Sequence, residues 1–268
     1  MRITRVYCPQ DLELQKEIVL DERTSHHLIN VLRLRVGHIV IVFNGVLNKG
    51  YKDYVGKIIK IEKKQVTFLA ETALEIHKES SLKIHLGQAI SKGERMDWVI
   101  QKSVELGVTD ITPLITEHCN IKLDEERREK RHEHWQRVAI SASEQCGRAI
   151  IPMVHAPTML LDFLKAHDAN KTLTKIILHY RNAKPLTSLL KTSLLKNSHT
   201  PSSSHSIALI VGPEGGISDK ELADAALHGF QIGSLGPRIL RTETAPLAAI
   251  SILQAELGDL GDFENSGE

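Results

Sequence analysis

The stretch "IALIVGPEGGISDKELADAALHGF", Ile207–Phe230, joins an apolar run to a helical pattern through Gly212-Pro213-Glu214-Gly215-Gly216. Ile207 to Val211 read as a strand. Ser218-Asp219-Lys220-Glu221 form a capping box, in which serine hydroxyl and glutamate carboxylate satisfy free N–H groups at a helix start. A glycine-bearing loop from a strand tip to a helix N-terminus is where open α/β sheets bind ligands. Phosphate is the usual occupant, because free helix N–H groups and the macrodipole attract anions. Here Pro213 removes an N–H, Glu214 adds negative charge, and neither GxGxxG nor a Walker lysine is present. The loop suits a ligand with ring nitrogens, ribose hydroxyls or an onium centre, which carbonyls and a carboxylate can meet. A bare turn that needs glycine at positive φ is the alternative.

One strand-helix unit later, "SLGPRILRTETAPLAAISILQAEL" supplies a second glycine-bearing loop, Leu235 to Ala245, with Arg238, Arg241 and Glu243 before the last helix. Thr244 is placed to cap that helix, and Pro246 falls in its first turn, where a missing N–H costs little. Arg241 and Glu243 are not needed for capping. They read either as chemistry beside the first loop or as a surface ion pair.

Positioning two such loops takes a parallel sheet. From Leu82 the chain alternates strands and helices: "KIHLGQAI", a helix from Met96 to Val104, "DITPLI", "TKIILHY", a helix around "PLTSLLKTSLL", "SIALIV", Asp219 to His228, "QIGSL" and a last helix. That alternation predicts an α/β fold with helices covering a parallel sheet. Ser91-Lys92-Gly93-Glu94 reads as another capping box. Asp124 to Ser143 keeps Trp135, Val138, Ala139 and Ala142 on one face of a long charged helix. The first 74 residues differ, with strand runs "HIVIVFNG", "YVGKIIKI" and "QVTFLA" separated by turns. "LEIHKESS" reads as a linker, and "NSHTPSSSHS" and "GDLGDFENSGE" as a mobile loop and an acidic tail.

Composition narrows the class. Of 268 residues, 41% are hydrophobic and 25% charged, with a net charge of +1, as in ordinary soluble proteins. No apolar run of about 18 residues could span a membrane and "MRITRVYCPQDLELQ" lacks a signal-peptide core, so a cytoplasmic address without a membrane partner is expected. Cys8, Cys119 and Cys146 lack CxxC spacing, and His26-His27 and His132/His134 lack any HExxH pattern, so no metal is expected. Residues 1–74 carry 12 Lys+Arg against 8 Asp+Glu. A basic N-terminal part suits a nucleic-acid partner or merely a solvated face.

Six segments, "MRITRVY", "HHLINVLRLRVG", "HLGQAISKGERMDWVIQKSVELGVTDITPLITEHCNIKL", "SEQCGR", "LIVGPEGGIS" and "LGPRILRTETA", together resemble the SPOUT methyltransferases, specifically the RsmE family of ribosomal RNA uridine N3-methyltransferases. The resemblance runs nearly the whole chain. It implies a SPOUT-type parallel sheet with a C-terminal trefoil knot, preceded by a small PUA-like β-barrel. The expected domains are an RNA-binding barrel at 1–74, a linker at 75–81, a methyltransferase domain at 82–258 and a flexible acidic tail at 259–268. The implied cofactor is S-adenosyl-L-methionine, lined by Leu178, His179, Gly212, Pro213, Glu214, Gly215, Gly216, Leu235, Gly236, Ile239, Leu240, Arg241, Thr242, Thr244 and Ala245. The implied partners are 16S rRNA within the small ribosomal subunit and a second copy of the chain that completes each site.

The implied target, N3 of a decoding-region uracil, lies on the Watson–Crick edge and carries a hydrogen, so the base must be unpaired and that proton must leave. Arg241 or Arg148 is the candidate for stabilising charge on the uracil oxygens, and Glu243 or Glu144 for accepting the proton. Arg2, Arg5, Arg33, Arg35 and Lys92 are the candidates for RNA phosphate. A SPOUT enzyme acting on another RNA position, such as a ribose 2′-hydroxyl, and a non-catalytic assembly factor are the rival readings.

Overall fold

The computed structural model of the protein describes residues 3–46, 50–119, 124–170, 172–197 and 205–261. Arg2, the loop residues 198–204 and the tail from 262 onward lie outside the described residues. The chain divides into two compact units: Met1–Glu79 with Ile140–Ile151, and Ser80–Ala139 with Pro152–Glu268.

In the N-terminal unit, strands β1 (Thr4–Tyr7), β2 (Glu17–Val19), β3 (Ile39–Phe43), β4 (Tyr51–Glu62) and β5 (Gln65–Ile76) form one sheet in the order β1-β3-β4-β5-β2. The ladder ends on β1 and β2, which are not paired with each other among the described residues. Alternate residues point inward, as period-two strands require: Val40 and Val42 from β3, and Val66, Phe68 and Ala70 from β5, pack with Val6, Leu20, Leu28 and Ile58. The β4–β5 hairpin turns at Lys63 and Lys64, both at positive φ (47° and 70°). Gly56 marks a register shift, and a Cβ there would lie 1.9 Å from the Leu69 carbonyl oxygen, so no larger residue fits. A short helix α1 (Glu22–His26) and a π-helical turn (His27–Val31) connect β2 to β3.

The C-terminal unit contains, in chain order, β6 (Lys83–Ala89), α2 (Arg95–Glu105), β7 (Asp110–Ile115), α3 (Glu125–Cys146), β8 (Met153–Val154), β9 (Thr158–Met159), α4 (Leu160–Ala166), β10 (Thr174–Leu178), β11 (Lys184–Pro185), α5 (Leu186–Asn197), β12 (Ser206–Val211), α6 (Asp219–Leu227), β13 (Gln231–Ser234) and α7 (Thr244–Leu257). The last turns of α3 group with the N-terminal unit. The sheet runs β11-β13-β10-β12-β6-β7-β8, and its paired strands are parallel. Covered on both faces, β12 is buried from Ile207 to Val211, which is why it reads as an unbroken apolar run. Chain order and space order diverge here: β12 inserts between β10 and β6, and β13 then pairs on the far side of β10. Such reversals bring strand tips from distant segments together, and ligands bind at those tips.

Two local expectations are corrected. Helix α2 starts at Arg95 with Glu94 as an N-cap that makes no side-chain bond, while the Ser91 hydroxyl is buried without a partner. Gly93, at φ +65°, leaves the helical region between Ser91 and Glu94, so a capping box cannot close. Likewise Thr244 is the first helical residue of α7 rather than its cap; Glu243 holds the cap position, and the Thr244 N–H donates to the Arg241 carbonyl at 2.9 Å. The Ser218–Glu221 box is present as read.

At the N-terminal ends of β6 and β7, three histidines meet. His167 Nδ1 donates to the Phe163 carbonyl (2.8 Å), which leaves Nε2 to accept from His85 Nδ1 (3.1 Å), and His85 Nε2 then accepts from the Thr112 hydroxyl (2.8 Å). His155 pairs with Asp110 at 3.0 Å. Burial, with the His167 ring next, pushes the His85 pKa down to about 4, the nearby Asp110 opposing and His155 adding to the shift.

Candidate active site

The tips of β10, β12 and β13 surround a cavity of about 600 Å3 lined by both glycine-bearing loops. Strand register explains the convergence: Leu178 pairs with Gly233 and Val211 with Gln88, so the segments leaving β10, β13, β12 and β6 emerge side by side. The two loops are tied together at one point. The Thr242 hydroxyl donates to the Gly212 carbonyl (2.8 Å) and accepts from Gln88 Nε2 (3.3 Å), and both Thr242 and Gln88 are buried.

Glycine has two uses in the first loop. At Gly212 and Gly215 a Cβ would stand 2.9 Å from Ile217 Cγ1 and from His118 Cβ, so these positions allow close packing behind the loop. Gly216 (φ +75°), which closes the Pro213 turn, and Gly236 (φ +94°) face open space, leaving backbone exposed to whatever the cavity holds.

The charges at the cavity are unevenly satisfied. Arg95 Nη1 donates to Glu214 Oε1 at 2.6 Å. Burial alone would raise the Glu214 pKa, but backbone hydrogen bonds and the Arg95 guanidinium outweigh it and hold the carboxyl below its usual range. Glu243 Oε2 is buried and has no hydrogen-bond partner; the nearest cations stand off, with Arg95 Nε at 4.0 Å from Oε2 and Arg241 Nη1 at 3.9 Å from Oε1. Arg241 itself is 80% exposed.

Among the cofactor candidates, Leu178, His179, Gly212, Pro213, Glu214, Gly215, Gly216, Leu235, Gly236, Ile239, Leu240, Arg241, Thr242 and Ala245 line the cavity together with Glu243. Thr244 does not. The other chemical candidates are used elsewhere. In the N-terminal unit, Arg148 is buried and donates through Nε and Nη2 to Glu79 Oε2 (3.1 and 2.7 Å), and Glu144 Oε1 accepts the Tyr7 N–H (2.9 Å). Arg5, expected on RNA, makes a two-point pair with Asp53 (2.8 Å each), lies 3.5 Å over the Phe43 ring and is 8% exposed, so phosphate cannot reach it. Arg33, Arg35 and Lys92 are exposed.

Arg238 of the second loop lines the cavity too, and the cavity also takes Arg95, Tyr180 and Ile217, which sequence reasoning did not place in the site. Arg95 was findable: a strand inserted beside β6 puts the segment after β6 against the segment after β12. Knowing that insertion was the missing step.

Known proteins show the same organisation. The RNA methyltransferase domain family matches residues 78–254, and the RNA methyltransferase PUA domain family matches residues 20–71. A protein called ribosomal RNA small subunit methyltransferase E from Buchnera aphidicola (subsp. Acyrthosiphon pisum) is 36% identical over 96% of this chain and 95% of its own. Its namesake from Bacillus subtilis is 30% identical over 92% and 94%. Among solved structures, a methyltransferase from Legionella pneumophila in complex with S-adenosylmethionine superposes with a TM-score of 0.84 at 42% identity, covering 97% of this chain and all of that one. Ribosomal RNA small subunit methyltransferase E from Neisseria gonorrhoeae, bound to S-adenosyl methionine, gives 0.81 at 36% over the same shares.

Proposed function

The chain belongs to the ribosomal RNA small subunit methyltransferase E family, and from that premise we propose that it methylates N3 of a decoding-region uracil in 16S rRNA of the small ribosomal subunit, in the cytoplasm. The observation that carries the reading is the buried, unbonded Oε2 of Glu243 beside a cavity whose two loops are latched through Thr242.

The residues present fit S-adenosylmethionine. Open backbone at Gly216 and Gly236 can meet an adenine and ribose, and a lining that mixes Glu214 and Glu243 with Arg95, Arg238 and Arg241 can meet both the cationic and the carboxylate groups of that ligand. A cavity of about 600 Å3 lies within the usual range for a ligand of that size. When bound, that cofactor supplies an electrophilic methyl group. The chain's own residues bind, orient and move a proton. The Glu243 carboxylate accepts the N3 proton of the uracil, freeing the nitrogen lone pair for the methyl group. Arg241, exposed at the mouth and always cationic, meets the uracil oxygen on which negative charge develops. Holding both partners aligned can lower such a barrier by about 7–11 kcal/mol.

The reading extends to the segments from β12 through α7 threading as a trefoil knot and to a homodimer that completes each site. Supporting the first is the return of β13 to the far side of β10 after β12 has been inserted. The test of function is to incubate the protein and methyl-labelled cofactor with free 16S rRNA and with small subunits, then locate the label by mass spectrometry. Label on a uracil N3 is expected. Label on ribose, or on neither substrate, overturns the reading.

A further inference from the structure

No sequence expectation includes Arg95, yet its guanidinium is where the two charged walls of the cavity meet. It opens α2 directly after the Gly93 turn. Its Nη1 holds Glu214 of the first loop at 2.6 Å, and its Nε faces Glu243 Oε2, the buried oxygen without a hydrogen bond, at 4.0 Å. Arg241 stands 3.9 Å from the other oxygen of Glu243 and contacts no residue of the first loop by ion pair among the described residues. The carboxylate of Glu243 therefore lies between two cations, of which only Arg95 also grips the loop that walls the cofactor cavity. A guanidinium is rigid and planar, so Nε and Nη1 cannot be aimed independently. Fixing Glu214 on one edge fixes the field at Glu243 on the other.

We propose that Arg95 is a positioning residue that couples the Gly212–Gly216 loop to the reaction carboxylate Glu243. The proposal rests on the methyl-transfer reading above and deepens it. Arg95 lines the cavity but acts through Glu243; it sets where the Glu243 carboxylate stands once Glu214 has been placed. A plain surface pair offers a simpler account of the Arg95–Glu214 contact, since the two side chains are 45% and 31% exposed and such pairs contribute little. The second carboxylate separates the accounts, because a surface pair predicts nothing about turnover.

Three measurements on Arg95→Gln and Arg95→Lys test it: thermal melting, calorimetric affinity for S-adenosylmethionine, and single-turnover methyl transfer to small subunits. Arg95→Gln should melt with the parent and weaken cofactor binding by less than about fivefold, as loss of an exposed pair does. It should slow methyl transfer by about 10- to 100-fold, as a misplaced catalytic group does. Arg95→Lys keeps the charge but not the two fixed donor directions, so affinity should return and the rate should not. Transfer by Arg95→Gln at essentially the parent rate, losses of rate and affinity in equal proportion, or full rescue of the rate by lysine each overturn the proposal. A parent that methylates neither RNA form marks failure of the functional reading instead. Binding alone then decides: a double-mutant cycle of Arg95→Gln with Glu214→Gln that shows coupling in cofactor affinity supports the Arg95 linkage, and strict additivity overturns it.

Discussion

The N-terminal unit and the cavity of the C-terminal unit use the same pair of residue types to opposite ends. In the first, Glu79 accepts four hydrogen bonds, two from Arg148 and one each from the Ala149 and Ile150 N–H groups, and Asp53 accepts from Nε and Nη2 of Arg5, whose Nη1 donates to the Ser143 carbonyl. The arginines are 5% and 8% exposed. Nothing is left over for a ligand. In the second, Arg241 is 80% exposed and Glu243 keeps a buried oxygen without a hydrogen bond. A fully bonded carboxylate fixes a fold, whereas one left with an unbonded oxygen is, on the function proposed above, the group that meets the substrate. Arginine–carboxylate pairing alone thus says little about function; the unspent hydrogen-bonding capacity is what separates the two regions.

That contrast breaks most sharply at Glu243. Glu243→Gln keeps the shape but cannot take a proton, so methyl transfer should fall by about 10²- to 10⁴-fold while the melting temperature stays near that of the parent. A variant with near-normal turnover would make Glu243 as structural as Glu79. The converse variant is Asp53→Ala, which strands the buried Arg5 guanidinium. It should cost about 3–5 kcal/mol in denaturant unfolding and leave calorimetric affinity for S-adenosylmethionine unchanged.

Acid offers a third break, at groups that are buried but can still change charge. The pKa of His85 is lowered to about 4 in the fold from an ordinary 6.5, so the unfolded chain binds the proton first. Its contribution is present above pH 6.5 and is lost as the pH falls toward 4, amounting to about 3 kcal/mol. The loss should be visible in melting curves and reduced in His85→Gln. Smaller again is Thr242→Val, which removes the bond to Gly212 and leaves that carbonyl unpaired. Cofactor binding should weaken by about 1–3 kcal/mol in calorimetry, with the N-terminal unit untouched. The least effect belongs to the exposed basic residues: Arg33→Gln or Lys92→Gln should flatten the salt dependence of RNA binding by a slope of about 0.7 to 0.9 each. An unchanged slope would remove them from the RNA face.

What was legible in one dimension was whatever is settled locally. The Ser218–Glu221 box and the strand before it, Ser206–Val211, are each decided by a few neighbouring residues, so the loop between them could be read directly. Ser91–Glu94 has the same letters and fails because Gly93 adopts a positive φ that the pattern does not encode. Arg5 and Arg148 were misjudged for a different reason: their carboxylates lie 48 and 69 positions away, and a paired arginine has the same letter as a free one. Helix α4 went unread because Leu160–Ala166 is under two turns long, too short for periodicity to declare itself. Arg95 depended on a strand insertion that spacing cannot reveal.

Residues 140–151 belong with the first 79 although 60 residues of the other unit separate them in sequence. The N-terminal unit is therefore not a cassette. A piece ending at Glu79 would carry that carboxylate without Arg148, Ala149 and Ile150, and a piece beginning at Ser80 would carry Arg148 without its counter-charge. A cut at that boundary therefore exposes, on both pieces, a charge that the fold covers, and an excised N-terminal unit has to carry residues 140–151 with it.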